Sequence, residues 1–230
     1  MDFRHVPGDQ GFYPDAVVPY TVTGELVPIL DFALEKTQAV YFEHYILLYR
    51  EPSVKLTAGL PKGALKRLIG QMPVILAKAE GPGHLAVSRD GPGAVVGIPL
   101  SPGQRLDVRE HQFLAASSTI RYTFTRVRGI ANLLWGGSGY FMDSFEADRQ
   151  AGIVWIHVYG NLTEVTLGSR DVLDVEPGAW CYKDASVRMT TVPVNIATGL
   201  FASTSFTLNR FQGPGRLGIQ SMAVHLATDE

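Results

Sequence analysis

Apolar and polar residues along this chain alternate in short runs, and glycine and proline break the runs apart. Thr119–Val127 puts Ile120, Tyr122, Phe124 and Arg126 on one face of an extended segment. Ser186–Val192 alternates in the same way and is predicted to end at Pro193. Ser205–Phe211 follows the same rule, and Gly152–Gly160 is a β-branched and aromatic run bounded by glycine. Helical periodicity is weak. Lys62–Ile69 has room for about two turns, and Gly129–Leu134 stands at a comparable place further on; both are predicted to connect strands. The pattern predicts an all-β chain, with its 230 residues in one domain folded as a β-sandwich or barrel-like roll.

The runs also echo one another. Glu80-Gly81-Pro82-Gly83-His84-Leu85 and Gln212-Gly213-Pro214-Gly215-Arg216-Leu217 lie 132 residues apart, twice 66. Leu106-Asp107-Val108 returns as Leu173-Asp174-Val175 after 67 residues, and Val40-Tyr41-Phe42 precedes it by 66. Leu134-Trp135-Gly136-Gly137 lies 66 residues from both Leu68-Ile69 and Leu200-Phe201. Such spacing predicts a three-fold internal repeat, with units near 22–87, 94–157 and 162–225. Glu43-His44 recurs within one residue at Glu110-His111, whereas the third copy has the turn Glu176-Pro177-Gly178.

Taken together, the Leu-Asp-Val strand, the Leu-Trp-Gly-Gly-Ser-Gly segment at 134–139 and the closing strand from Gly152 resemble the altered-inheritance-of-mitochondria protein 24 family. The resemblance covers roughly residues 20–225. It implies a fold like the tryptophan RNA-binding attenuator protein, a β-roll related to the double-stranded β-helix. It also implies a bacterial protein with a mitochondrial relative tied to inner-membrane organisation. It implies no catalytic residue.

Composition narrows the function classes. Hydrophobic residues are 46% and the net charge is -2, so a packed core is expected rather than disorder. A pI near 6.3 argues against nucleic-acid binding through bulk charge. The single Cys181 permits no internal disulfide, which suits the cytoplasm. No apolar run approaches the length of a transmembrane segment.

Candidate chemistry is sparse. His5, His44, His84, His111, His157 and His225 form no metal-ligand spacing. His44 and His111, each following a glutamate in a turn, could make a symmetric metal or acid–base site; solvated turns are the favoured reading. Cys181, between Trp180 and Tyr182, reads as a buried thiol rather than a nucleophile. Gly136-Gly137-Ser138-Gly139 lacks the Lys-Ser/Thr ending of a phosphate loop, and Pro82 and Pro92 remove amide donors from the other glycine turns. Arg121, Arg126 and Arg128 with Lys62, Lys66 and Arg67 could form a basic patch beside Tyr122 and Phe124, but a solvated strand face is favoured.

The expectation is therefore a non-enzymatic binding or scaffold protein with a protein partner or self-association, and with no catalytic, metal or cofactor residues assigned. Binding of RNA or single-stranded nucleic acid is the first alternative and is not favoured. A metal-dependent enzyme is the second.

Overall fold

The computed structural model describes residues 1–59, 76–127, 140–194 and 206–223. Among them the chain forms antiparallel strands and one short 3-10 turn, His44–Ile46. Both helical expectations, at 62–69 and 129–134, lie outside the described residues, as do Lys62, Lys66, Arg67, Arg128, the 134–139 segment and His225.

Three short strands open the chain: β1 (Asp2–Val6), β2 (Gly11–Tyr13) and β3 (Tyr20–Thr23). Next come β4 (Ile29–Leu34), β5 (Ala39–Glu43), β6 (Leu47–Arg50), β7 (Lys55–Gly59), β8 (Leu76–Glu80) and β9 (Gly83–Val87). The middle stretch holds β10 (Gly93–Leu100), β11 (Arg105–Arg109), β12 (Phe113–Ser117), β13 (Ile120–Val127), β14 (Tyr140–Ala147) and β15 (Gly152–Tyr159). The last holds β16 (Leu162–Leu167), β17 (Val172–Val175), β18 (Trp180–Asp184), β19 (Arg188–Val194), β20 (Phe206–Gln212) and β21 (Gly215–Gln220).

These strands make four antiparallel sheets. One runs β1-β16-β21-β18-β11-β14-β13, a second β10-β15-β12-β5-β8-β7, a third β2-β3-β4-β9-β6 and a fourth β17-β20-β19. In the first stretch of six, β9 pairs with β4 and β6, and β8 pairs with β5 and β7. In the second, β15 pairs with β10 and β12, and β14 with β11 and β13. In the third, β21 pairs with β16 and β18, and β20 with β17 and β19. Two further pairings, β5 with β12 and β11 with β18, join these stretches edge to edge.

The turns explain the glycine placement. Gly81-Pro82-Gly83 and Gly213-Pro214-Gly215 close the β8–β9 and β20–β21 hairpins, both with a cis Gly-Pro bond. Gly83 and Gly215 take φ of 130° and 140°, a region that a Cβ disfavours.

The strand predicted to end at Pro193 instead runs on to Val194, with Pro193 opposite Thr207. β19 is the outer strand of its sheet, so a missing amide on its solvent side breaks no ladder bond.

Three apolar clusters form the core. Trp155 meets Phe32 edge-on at 4.7 Å in the first, beside Tyr20. Phe113 stacks on Phe145 at 4.7 Å in the second, and Trp180 lies 5.7 Å from Phe211 in the third. Burying one such side chain is worth about 1.5–3 kcal/mol. β15 shows why its sequence is apolar throughout. Ile153 and Trp155 point into the first cluster, while Val154, Ile156 and Val158 point into the second. With both faces covered, no polar alternation is left to read.

Candidate functional site

Ionisable side chains are buried mainly at the two places where stretches of chain meet. At the first, Glu43 ends β5 and Arg89 follows β9; both are almost fully buried. One Arg89 Nη2 donates to Glu43 Oε2 at 2.8 Å and to the Phe113 carbonyl at 2.5 Å. Arg89 Nη1 donates to the Tyr45 hydroxyl at 2.6 Å, and that hydroxyl donates to Glu43. Burial works against the Arg89 charge, but Glu43 and Tyr45 outweigh it and hold the guanidinium protonated. Tyr45 is pushed well up, by burial and by the Glu43 carboxylate. This network ties β5, the β9 exit and β12 together.

Beside it sits His157 on β15, fully buried, its ring 4.6 Å from Tyr159. Its backbone amide donates to the carbonyl of Gln112, whose side chain is also fully buried. Burial first, then the Arg89 charge, pushes the His157 pKa down to about 4. The imidazole is therefore neutral at pH 7.

At the second place, Lys183 on β18 donates to Asp107 Oδ2 on β11 at 2.7 Å. Ser144 Oγ donates to Asp107 Oδ1 at 2.6 Å, and Arg105 approaches the same carboxylate at 3.4 Å. Tyr182 donates to Glu164 Oε2 at 2.5 Å, and Arg4 from β1 reaches Glu164 Oε1 at 2.6 Å. Arg216 pairs with Asp184 at 3.0 Å. Burial, then Glu164, raises Tyr182. A shallow cavity of about 470 Å³ lies alongside, lined by Leu100, Arg105, Asp184, Ser186 and Arg216.

The residues singled out by sequence do not converge. His44 is exposed in the 3-10 turn with its ring against Tyr45, while His111 occupies a separate turn at φ 68°. Among the described residues, no three His, Cys, Asp or Glu side chains are placed to hold a metal ion. The glutamate before His44 enters the buried network. Cys181 is fully buried and burial pushes its thiol up, away from thiolate character. Arg121 is exposed and paired with Glu146 across the β13–β14 hairpin. Phe124 is half-buried, and Tyr122 is buried with its hydroxyl on Asp143 at 2.7 Å, so that ring is not free to stack on a base.

Sequence reasoning missed the pairs Glu43–Arg89 and Asp107–Lys183. The available signal was a lone charge inside an apolar run, such as Asp107 between Leu106 and Val108. Among the described residues, no helix is long and apolar enough to cross a membrane.

Comparison with known proteins matches the architecture. The chain is 25% identical to an uncharacterized protein of Streptococcus pyogenes serotype M6 over 213 residues, covering 85% of this chain and 82% of that protein. A crystal structure of a Streptococcus pyogenes protein superposes with a TM-score of 0.70 at 20% identity, over 90% of this chain and 94% of that one. At that identity the likeness speaks for the fold. The family model described as Mitochondrial biogenesis AIM24 matches residues 20–222, nearly the whole described chain, and the protein belongs to that family.

Proposed function

We propose that this chain is a non-enzymatic scaffold made of three like units, near 22–87, 94–157 and 162–225, each a roll of the tryptophan RNA-binding attenuator type. The observation that carries the reading is the use of the buried charges. Asp107 with Lys183 joins β11 to β18 from different stretches of the chain, and Arg89, balanced by Glu43 within the first stretch, donates across to the Phe113 carbonyl of β12 in the second. They are spent on holding units together, with each charge neutralised by its partner. The recurrence of the same four strand pairings supports the unit boundaries. A family tied to inner-membrane organisation is in keeping with a scaffold that works through protein contacts.

Incubating purified protein with a metabolite extract tests this reading. The small-molecule profile should stay unchanged, and immobilised protein should retain protein rather than metal or RNA. Turnover of any metabolite that disappears in Glu43→Gln or Asp107→Asn variants of normal fold would overturn it.

A further inference from the structure

The two joints inside the chain follow one template. At the first, Phe42, Tyr41 and Val40 of β5 stand opposite Ala115, Ala116 and Ser117 of β12. At the second, Val108, Asp107 and Leu106 of β11 stand opposite Tyr182, Lys183 and Asp184 of β18. The correspondence is anchored by a bulge at one place in β6, β12 and β18: between Leu47 and Tyr49, Phe113 and Ala115, and Trp180 and Tyr182. Tyr49, Ala115 and Tyr182 are therefore equivalent. Leu173-Asp174-Val175 is likewise the equivalent of Leu106-Asp107-Val108, since Leu173 faces Phe211 as Leu106 faces Phe145.

Among the described residues, a third joint is thus specified but not made. β17 ends the three-stranded sheet and β6 ends the five-stranded sheet. We infer that β17 of one molecule pairs antiparallel with β6 of a second copy of this chain. The template sets Val175 opposite Tyr49, Asp174 opposite Arg50 and Leu173 opposite Glu51, merging the two part-sheets into one.

Three observations support that occupant. The charges match: Asp174 would meet Arg50 where Asp107 meets Lys183 at 2.7 Å. Arg210, which holds Asp174 at 2.7 Å, stands where Ser144 stands beside Asp107, so the existing contact leaves the template intact. The exposure matches as well. Leu48 and Tyr49 are each 51% exposed, whereas Leu114, Cys181 and Ala115 are 0% and Tyr182 is 2% exposed. Finally, the strand is already set for pairing. The Tyr49 hydroxyl donates to Asp31 at 2.6 Å, as that of Tyr182 donates to Glu164 at 2.5 Å.

Each molecule offers one β6 and one β17, so the contact is head to tail. It closes into a ring or continues as a filament according to the rotation between copies. The inference rests on the three-unit reading.

Mixing Arg50→Cys protein with Asp174→Cys protein under mild oxidation tests the register. The mixture should give a disulfide-linked heterodimer, and neither variant alone should cross-link; Cys181 is buried and does not compete. Light scattering should show wild-type protein as a multimer and folded Leu48→Asp as a monomer. A wild type that stays monomeric at tens of micromolar overturns the inference, as does a multimer whose mixed cysteine variants do not cross-link. If the chain is monomeric, inert toward metabolites and still retains another protein, this inference fails while the scaffold reading stands.

Discussion

The β11–β18 joint and the edges of β6 and β17 are built from residues at matching register positions in opposite surroundings. At the joint, Asp107 and Lys183 are both nearly buried and hold each other. At the edges, Asp174 is exposed with Arg210, and Arg50 donates to the backbone carbonyls of Glu51 and Val54. The difference teaches that the motif does not decide how much a charge matters. A carboxylate in Leu-Asp-Val is critical where a second strand covers it and nearly neutral in stability where water does.

The strongest way to break this comparison is Asp107→Ala. It strands the Lys183 ammonium in the joint and should cost about 3–5 kcal/mol in urea denaturation. Replacing both partners, Asp107→Leu with Lys183→Met, should recover most of that loss.

Acid should probe the first joint through His157. Its pKa is about 4 in the folded chain against an ordinary 6.5, so the unfolded chain binds the proton first as pH falls. Its contribution is intact above pH 6.5 and is lost progressively down to about pH 4, a total of about 3 kcal/mol. In His157→Leu this part of the pH dependence should vanish from the denaturation midpoints.

The tyrosines give a finer test. Tyr182→Phe removes a buried donor from Glu164 and should cost about 1–3 kcal/mol. Tyr49→Phe, likewise just after a bulge but at an exposed contact with Asp31, should fall well below that in dilute protein. The smallest effect is expected for Asp174→Ala, under about 1 kcal/mol in dilute protein. A large loss there would show that the edge is already covered.

Local rules were enough to read four of the strands, β13, β15, β19 and β20. Alternation located β13 and a glycine-bounded β-branched run located β15, each almost to the residue, and the glycine-proline echoes fell on the β8–β9 and β20–β21 hairpins. Pro193 misled because a sequence does not reveal which strand lies at a sheet edge. The buried pairs were illegible for a different reason. Glu43 and Arg89 are 46 residues apart, and Asp107 and Lys183 are 76 apart, so only the order of strands brings them together. The same pairing order put Glu43, not the neighbouring His44, inside the protein.

β15 carries one further consequence. Its odd side chains fill one core and its even side chains another, within a single uninterrupted strand. Withdrawing it from either core would empty the other as well. The first two stretches of six strands are therefore bound into one cooperative body in which neither melts alone, unlike beads joined by a linker.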